Sequence, residues 1–303
     1  MTIPTALPIS ASPVKKVVIP VAGRGIRLFS ATKVVPKVLL PIGRKPLILY
    51  AVEEAVASGA DCVVLVTGKK DSLVKEYFEP DSELEQHLEE SGHHEDAALL
   101  RRICTMISIV SVQQEFPRGL GDSIRCAWLH VKDEPFGLIL PDALMLGNRP
   151  CIGQLIESYD RYRGTVIATR RLQPNETDRY GVLVVDPDSS ANDERILRVR
   201  SMVEKPGPDN APSLYGVFGR YVLEPGVFEA IDATLPDASG EVQLTDALNL
   251  YCREHSVYGH LFQGEHFDTG EWLGFAQATA HCMLADPSLG PAFSKFLRSS
   301  FKI

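Results

Sequence analysis

The 303-residue sequence lacks the marks of a membrane protein and of a disulfide-stabilised protein. No apolar run approaches the ~20 residues that cross a bilayer as a helix. Its six cysteines include no C-x-x-C pair, which argues against a zinc site and favours reduced thiols in a cytoplasmic protein. Residues 1–14 lack the basic start and apolar core of a signal peptide, so we expect them to form a flexible extension.

The sequence also lacks an excess of positive charge. Lysine and arginine number 31 against 39 acidic residues, which gives a net charge of -8. Nucleic-acid-binding proteins usually carry a basic surface, so this balance argues against a nucleic-acid partner. A local basic pocket for a small polyphosphate is still compatible with it.

Three common catalytic and nucleotide-binding motifs are missing. The stretch 17–27 reads V-V-I-P-V-A-G-R-G-I-R, without the G-x-x-x-x-G-K-[ST] of a P-loop. The third glycine of a dinucleotide fingerprint is absent because position 28 is Leu28. No G-x-S-x-G elbow of a serine hydrolase occurs.

What the opening stretch does contain is a continuous apolar run that ends in small residues. The run at 17–21 predicts a buried parallel strand. The residues that would let backbone N–H groups approach phosphate oxygens are Ala22, Gly23 and Gly25. The cations that could neutralise a polyphosphate are Arg27, Lys33 and Lys37. An ordinary strand-to-helix turn with solvated cations explains the same spacing equally well.

The hydrophobic patterns predict an α/β fold. Helical spacing over 45–58 lies between the apolar runs at 17–21 and 62–67, which is typical of a βαβ unit in a parallel sheet. Further strands are predicted at 106–112, 136–140 and 165–169, with a helix at 123–131. Together these patterns predict a Rossmann-like, doubly wound core.

Beyond residue 180 the pattern changes to short alternating runs. Those at 181–185, 196–203 and 214–222 predict antiparallel strands. Helices are predicted at 224–235, 241–255, 271–285 and 289–297, with a strand at 257–262 between them. We therefore expect a mixed sheet with an antiparallel subregion and C-terminal helices.

Two acids follow predicted strands. Asp142 comes directly after the strand at 136–140, and Asp268 follows the last strand. Ligands bind at the carboxyl ends of strands in open α/β sheets, and paired carboxylates suit Mg²⁺. Each acid taken alone is more simply explained as a helix cap or turn residue. Their combination with a phosphate-binding loop favours a magnesium site.

Seven segments in order carry a resemblance to a known family. They are VIPVAGRGIRLFSATKVVPKVLLPI, LPDALML, DRYGVLVVD, VEKP, FGRYVL, GEVQLTDAL and FDTGEWLGF. Together, over about residues 15–285, they resemble the bacterial UTP–glucose-1-phosphate uridylyltransferase branch of the sugar-1-phosphate nucleotidyltransferases. The resemblance implies that an oxygen of the sugar 1-phosphate attacks the α-phosphorus of UTP, and that pyrophosphate leaves.

The resemblance also implies roles for particular residues. The implied catalytic residues are Arg27, Lys37 and Lys205. The implied nucleotide-binding residues are Ala22, Gly23, Gly25, Lys37, Gln114, Gly119 and Asp142. The implied sugar-phosphate-binding residues are Gly181, Glu204 and Lys205. The implied Mg²⁺ ligands are Asp142 and Asp268.

The organisation implied by the family is one domain over residues 15–303, with the nucleotide-diphospho-sugar transferase type of fold. Its nucleotide-binding part would cover about 15–145, its sugar-binding part about 146–270 and its helical part about 271–303. A homodimer or homotetramer is also implied, with the C-terminal helices as candidates for the contact.

The sequence departs from the family at two positions of the opening stretch. Ile26 stands where the family usually has threonine, and Val38 where it has an acid close to the base. We expect these changes to relax or alter base preference rather than to abolish catalysis. Two alternatives stay open, namely a nucleotidyltransferase for another base or sugar and a catalytically weak regulatory paralogue.

Overall fold

The computed structural model describes residues 12–69, 72–187 and 193–301. The strands are β1 (Lys16–Pro20), β2 (Pro41–Ile42), β3 (Lys45–Pro46), β4 (Cys62–Thr67), β5 (Ser108–Gln113), β6 (Phe136–Ile139), β7 (Ala143–Leu146), β8 (Thr165–Arg171), β9 (Val182–Val185), β10 (Ile196–Val203), β11 (Tyr215–Leu223), β12 (Val257–Leu261) and β13 (Glu265–Asp268). The helices are α1 (Leu47–Ala57), α2 (Ser72–Glu76), α3 (Ser82–Glu90), α4 (His94–Thr105), α5 (Gly119–Cys126), α6 (Trp128–Val131), α7 (Cys151–Tyr162), α8 (Val227–Ala233), α9 (Leu244–Tyr251), α10 (Trp272–Ala285) and α11 (Gly290–Phe301). No helix in these ranges is long and apolar enough to cross a membrane.

Nine strands form one mixed sheet in the order β5-β4-β1-β6-β11-β8-β12-β10-β9. The first four strands are parallel, because β1 pairs in parallel with both β4 and β6, and β4 with β5. Strand β11 is antiparallel to β6 and β8, and β10 is antiparallel to β9 and β12. The α/β mixed sheet and its antiparallel subregion are therefore confirmed.

Two hydrophobic layers sandwich the sheet because its strands are apolar on both faces. Val17 and Ile19 of β1 pack in the layer that contains α1 and α7, whereas Val18 packs in the layer that contains α8 and α9. All three side chains are fully buried. Burying one aliphatic side chain stabilises the fold by about 1.5–3 kcal/mol, so the alternating faces of β1 tie the two layers together.

A smaller pairing brings the two predicted acidic positions together. Strand β13 runs antiparallel to β7, with Asp268 opposite Ala143. The backbone N–H and the hydroxyl of Thr269 both donate to the carbonyl oxygen of Asp142, each at 2.8 Å. Helix α10 packs beside this pair and covers it through the small core around Leu144 and Ala278.

Several boundaries differ from the sequence-based expectations. Residues 1–11 of the predicted extension lie outside the described residues, whereas Ser12 and Val14 are buried, so the packed domain begins before residue 15. Helix α7 and the strands β7 and β13 were not predicted. The predicted helix at 241–255 is shorter, since α9 begins at Leu244 and the preceding backbone pairs with α5 instead.

Candidate active site

A cleft of about 630 Å³ opens at the carboxyl ends of β1 and β6. Because these strands are parallel, the segments that follow them meet at one edge of the sheet. The sequence-predicted residues that line the cleft are Ala22, Gly23, Gly25, Arg27, Lys37, Gln114, Gly119 and Asp142. Lys33, the third cation predicted to neutralise a polyphosphate, is not among the lining residues, whereas Arg24, for which the sequence predicted no role, is one of them.

The glycine segment is held in a fixed conformation beside the cleft. Gly25 has a φ of 60°, in the left-handed region that favours glycine. A Cβ atom there would lie 3.0 Å from side-chain carbons of both Thr32 and Lys37. The hydroxyl of Thr32 donates to the Gly25 carbonyl oxygen at 2.8 Å. Residue 25 therefore needs glycine for its backbone angle and for the space beside Lys37.

Gly119 and Gly121 let a second segment pack closely beside the cleft. The N–H of Gly121 donates to the Val242 carbonyl at 2.9 Å, and the Val242 N–H donates to the Arg118 carbonyl at 2.8 Å. A Cβ atom at Gly119 would lie only 2.7 Å from the Val242 oxygen. The segment before α9 is thereby fixed against α5, and its Glu241 lines the cleft.

Lys37 and Asp142 form an ion pair in the floor of the cleft. The Lys37 Nζ lies 2.5 Å from an Oδ of Asp142, and their side chains are 15% and 27% exposed. Burial acts to raise the pKa of Asp142, but the positive charges of Lys37 and, farther away, Arg27 outweigh it and lower that pKa below its usual value. Asp142 is therefore a carboxylate at neutral pH.

Asp268 lies in a second group of paired charges. An Oδ of Asp268 is 3.3 Å from Arg179 and 4.0 Å from Arg27. Glu271 contacts the same two arginines, at 2.9 Å from Arg27 and 3.1 Å from Arg179. The sequence assigned no role to Arg179 or Glu271, although both stand inside the quoted family segments, beside Gly181 and Asp268.

The predicted sugar-phosphate residues form a separate group. Glu204 accepts a hydrogen bond from Thr245 at 3.0 Å, and Lys205 Nζ lies 3.2 Å from its other oxygen. A Cβ atom at Gly181 would lie 3.3 Å from Glu204, so this position brings backbone close to the acid. Arg179, two residues before Gly181, connects the group to Asp268.

The two departures from the family differ in their surroundings. Ile26 lines the cleft and is 75% exposed. Val38 is fully buried in the hydrophobic layer around α1 and does not line the cleft. Position 38 therefore offers the cleft neither the family's acid nor an apolar contact, because the valine packs inward.

The chain is similar to nucleotidyltransferases over nearly its whole length. The model of the nucleotidyl transferase family matches residues 16–283. The chain is 35% identical over 289 residues to UTP–glucose-1-phosphate uridylyltransferase YngB of Bacillus subtilis, covering 95% of this chain and 96% of the relative. It is 37% identical over 286 residues to UTP–glucose-1-phosphate uridylyltransferase 1 of Staphylococcus saprophyticus, covering 94% and 98%.

Solved structures give the same result. A UTP-bound UGPase from Acinetobacter baumannii superposes with a TM-score of 0.87 at 32% identity, over 95% of this chain and 99% of that one. A UDP-glucose pyrophosphorylase in complex with UDP-glucose superposes with a TM-score of 0.80 at 31% identity, over 88% and 98%. The fold, the cleft at the strand ends and these similarities lead to one conclusion: the chain belongs to the nucleotidyl transferase family.

Proposed function

We propose that this chain is a uridylyltransferase that joins UTP and glucose 1-phosphate to give UDP-glucose and pyrophosphate. The observation that carries the proposal is that Lys37, Asp142 and Arg27 line one cleft. The similar proteins named above are uridylyltransferases, and two of the solved structures hold UTP and UDP-glucose.

The arrangement fits a direct transfer. An oxygen of the sugar phosphate forms a bond to the α-phosphorus of UTP while the bond from that phosphorus to the β-phosphate oxygen breaks. Pyrophosphate leaves with the bonding electrons, so no covalent enzyme intermediate is required. We assign Arg27 and Lys37 to the triphosphate and the leaving pyrophosphate, and Lys205 to the sugar phosphate. Positioning and charge neutralisation then supply the rate.

The remaining assigned residues hold the two substrates in place. The base would meet the backbone of the segment from Ala22 to Gly25, together with Gln114 and Gly119, which line the same cleft. The sugar hydroxyls would meet Glu204 and the backbone of Gly181, which lie side by side. Binding both substrates at fixed positions turns the transfer into an effectively intramolecular reaction.

Nucleotidyltransferases of this family generally use a divalent metal. Asp142 and Asp268 fit Mg²⁺, because they are carboxylates on adjoining strand ends and because hard oxygen ligands suit that ion. In the described ranges no group of three His, Cys, Asp or Glu side chains is arranged to hold a metal ion, so substrate oxygens would complete the shell. A bound Mg²⁺ would offset the charge that develops on the phosphoryl oxygens.

The test is an assay of pyrophosphate release from UTP, glucose 1-phosphate and Mg²⁺. We expect turnover by the unmodified chain and, at sub-saturating glucose 1-phosphate, a much lower rate in Lys205→Ala. A matrix of nucleoside triphosphates against sugar 1-phosphates then tests substrate choice. A higher rate with another pair would replace the proposed substrates, and no turnover with any pair would favour a regulatory paralogue.

The proposal extends to location and assembly. We place the reaction in the cytoplasm, where thiols stay reduced, because all six cysteines are free. We also propose a homodimer or homotetramer in which α10 and α11 form the contact, since Leu273, Leu284 and Phe296 leave apolar surface exposed on them. Light scattering coupled to gel filtration tests this, and a monomer at all concentrations would contradict it.

A further inference from the structure

The side-chain amide of Gln114 has its orientation fixed by two neighbours. Its Nε2 donates to an Oδ of Asp122 at 2.9 Å and to the carbonyl oxygen of Gly119 at 3.2 Å. A carboxylate and a carbonyl can only accept hydrogen bonds. The NH₂ group must therefore face them, and the opposite amide orientation would place oxygen against oxygen.

Asp122 is well suited to hold that orientation. It is 5% exposed and lies in the first turn of α5, where a negative charge interacts favourably with the helix dipole. Its other oxygen accepts from Arg125 at 2.5 Å, and this half-exposed guanidinium balances the buried charge. Asp122 thus presents a carboxylate, and only acceptor atoms, to Gln114.

The other polar atom of Gln114 is then available for a ligand. Gln114 lines the cleft, and no described residue donates a hydrogen bond to its Oε1. Oε1 is an acceptor. The uracil ring of a nucleotide carries one N–H group, at N3, so a hydrogen bond from uracil to Oε1 must come from that group. Cytosine has an unprotonated nitrogen at the same position, which would face Oε1 with a lone pair.

We propose that Asp122 is a positioning residue for base specificity: it holds the Gln114 amide so that Oε1 accepts from N3 of uracil and disfavours cytosine. This inference rests on the proposed role of Gln114 in binding the base. It assigns the choice between two pyrimidines to a buried carboxylate that does not touch the base.

The substitution Asp122→Asn replaces an acceptor that faces the Gln114 amide with a side chain that can donate to it. Arg125 retains the amide oxygen of the new side chain, so its NH₂ group turns toward Gln114. The Gln114 amide then keeps only the Gly119 carbonyl as an acceptor for Nε2. The rotated orientation, in which Oε1 accepts from the new NH₂ group and Nε2 faces the cleft as a donor that suits cytosine, now competes with the original one. We expect the ratio of kcat/KM for UTP to that for CTP to fall by about tenfold or more.

The ratio of the two kcat/KM values is the informative readout. A loss of folded enzyme lowers kcat/KM for UTP and for CTP by the same factor, so the ratio does not change. Asp232→Asn is the matched control: Asp232 is an exposed carboxylate 3.8 Å from Arg125 that does not contact Gln114. We expect the control to keep the unmodified ratio. If Asp122→Asn does not fold, Asp122→Ser supplies a side chain that can also donate, and the same fall in the ratio is expected.

A double-mutant cycle separates the positioning role of Asp122 from the base-binding role of Gln114. Gln114→Ala should lower the ratio by itself, and adding Asp122→Asn in that background should change it no further. A ratio within twofold of the unmodified value in Asp122→Asn, with a clear fall in Gln114→Ala, would overturn the role of Asp122 alone. An unchanged ratio in both variants would remove Gln114 as well, although the transferase reaction would still stand if UDP-glucose forms.

Discussion

Two lysine–carboxylate pairs, which we assign to the nucleotide and to the sugar phosphate, differ in burial. Lys37 and Asp142 are 15% and 27% exposed and lie 2.5 Å apart, whereas Lys205 and Glu204 are 56% and 47% exposed and lie 3.2 Å apart. An exposed pair contributes about 0–1 kcal/mol, but removing one partner of a more buried pair leaves an unpaired charge. In the proposed assignment, the pair at the nucleotide is therefore packed into the fold, whereas the pair at the sugar phosphate is solvated.

Of the substitutions in the two ion pairs, Lys37→Ala should reduce catalysis most. We expect kcat/KM for UTP to fall by about a thousandfold or more, because the variant loses charge stabilisation of the triphosphate and leaves Asp142 unpaired. Pyrophosphate release measures it. Lys33→Ala is the matched control, since Lys33 is exposed and does not line the cleft. Equal losses in the two variants would contradict the assignment of Lys37.

Lys205→Ala should affect one substrate and leave the fold intact. We expect KM for glucose 1-phosphate to rise by roughly a hundredfold, with a melting temperature within about 2 °C of the unmodified chain, because its ion pair is solvated. Initial rates and thermal denaturation provide both values. Lys75→Ala serves as the matched control, because Lys75 forms an equally exposed ion pair with Glu79. A larger rise in KM for UTP than for the sugar phosphate would contradict the assignment of Lys205 to the sugar phosphate.

The pH dependence of stability should reveal the contribution of the Asp142 charge to the fold. The pKa of Asp142 is lowered in the fold, so its contribution is fully present above the unfolded-state value of 3.8 and is lost as pH falls through the folded pKa. The difference in free energy of unfolding between the unmodified chain and Asp142→Asn should therefore be constant above about pH 5 and shrink toward pH 3. Urea unfolding at several pH values measures this.

The difference in free energy of unfolding between the two proteins is the useful quantity, because His260 and His266 also titrate in this experiment. Burial lowers the pKa of His260 to about 4 and that of His266 to about 3, so both oppose folding as pH falls below 6.5. The effect of His260 is common to both proteins and cancels. Asp142 acts to raise the pKa of His266, so both proteins carry His266→Gln in this comparison. A difference that grows on acidification would contradict the lowered pKa of Asp142.

Ile26→Thr should have the smallest effect. Ile26 lines the cleft but is 75% exposed, so restoring the family's usual hydroxyl changes a solvated edge. We expect the ratio of kcat/KM for UTP to that for TTP to change less than about threefold. A tenfold change, measured by competition between the two nucleotides, would make Ile26 a specificity residue.

The sequence predicted the elements whose patterns are local. The continuous apolar run at 62–67 and the alternating run at 196–203 match β4 and β10 in full. Helix α7 was missed because Gly153, Ser158 and polar residues interrupt its apolar spacing, although eight of its residues are buried. Its burial comes from packing against α1 and β8, which no local pattern records.

The meeting of candidate residues in one cleft was predictable where they follow the ends of parallel strands. Arg27, Lys37 and Asp142 follow β1 and β6 in the chain and meet where those strands end. The partners of Asp268 were not predictable, because Arg179 lies 89 residues away along the chain. Closeness in sequence does not guarantee a place in the cleft either. Val38 directly follows Lys37, which lines the cleft, but the Val38 side chain packs in the core.

The close packing of Val242 against Gly119 and Gly121 has a kinetic consequence. Glu241 lines the nucleotide cleft, and Thr245, four residues later, donates to Glu204 in the sugar group. One short stretch of chain is thus attached to both substrate groups and is anchored between them by the backbone of α5. Under the proposed assignments, a nucleotide that shifts Glu241 also shifts the support of Glu204. Initial-rate patterns should then be sequential, with UTP altering the apparent affinity for the sugar phosphate.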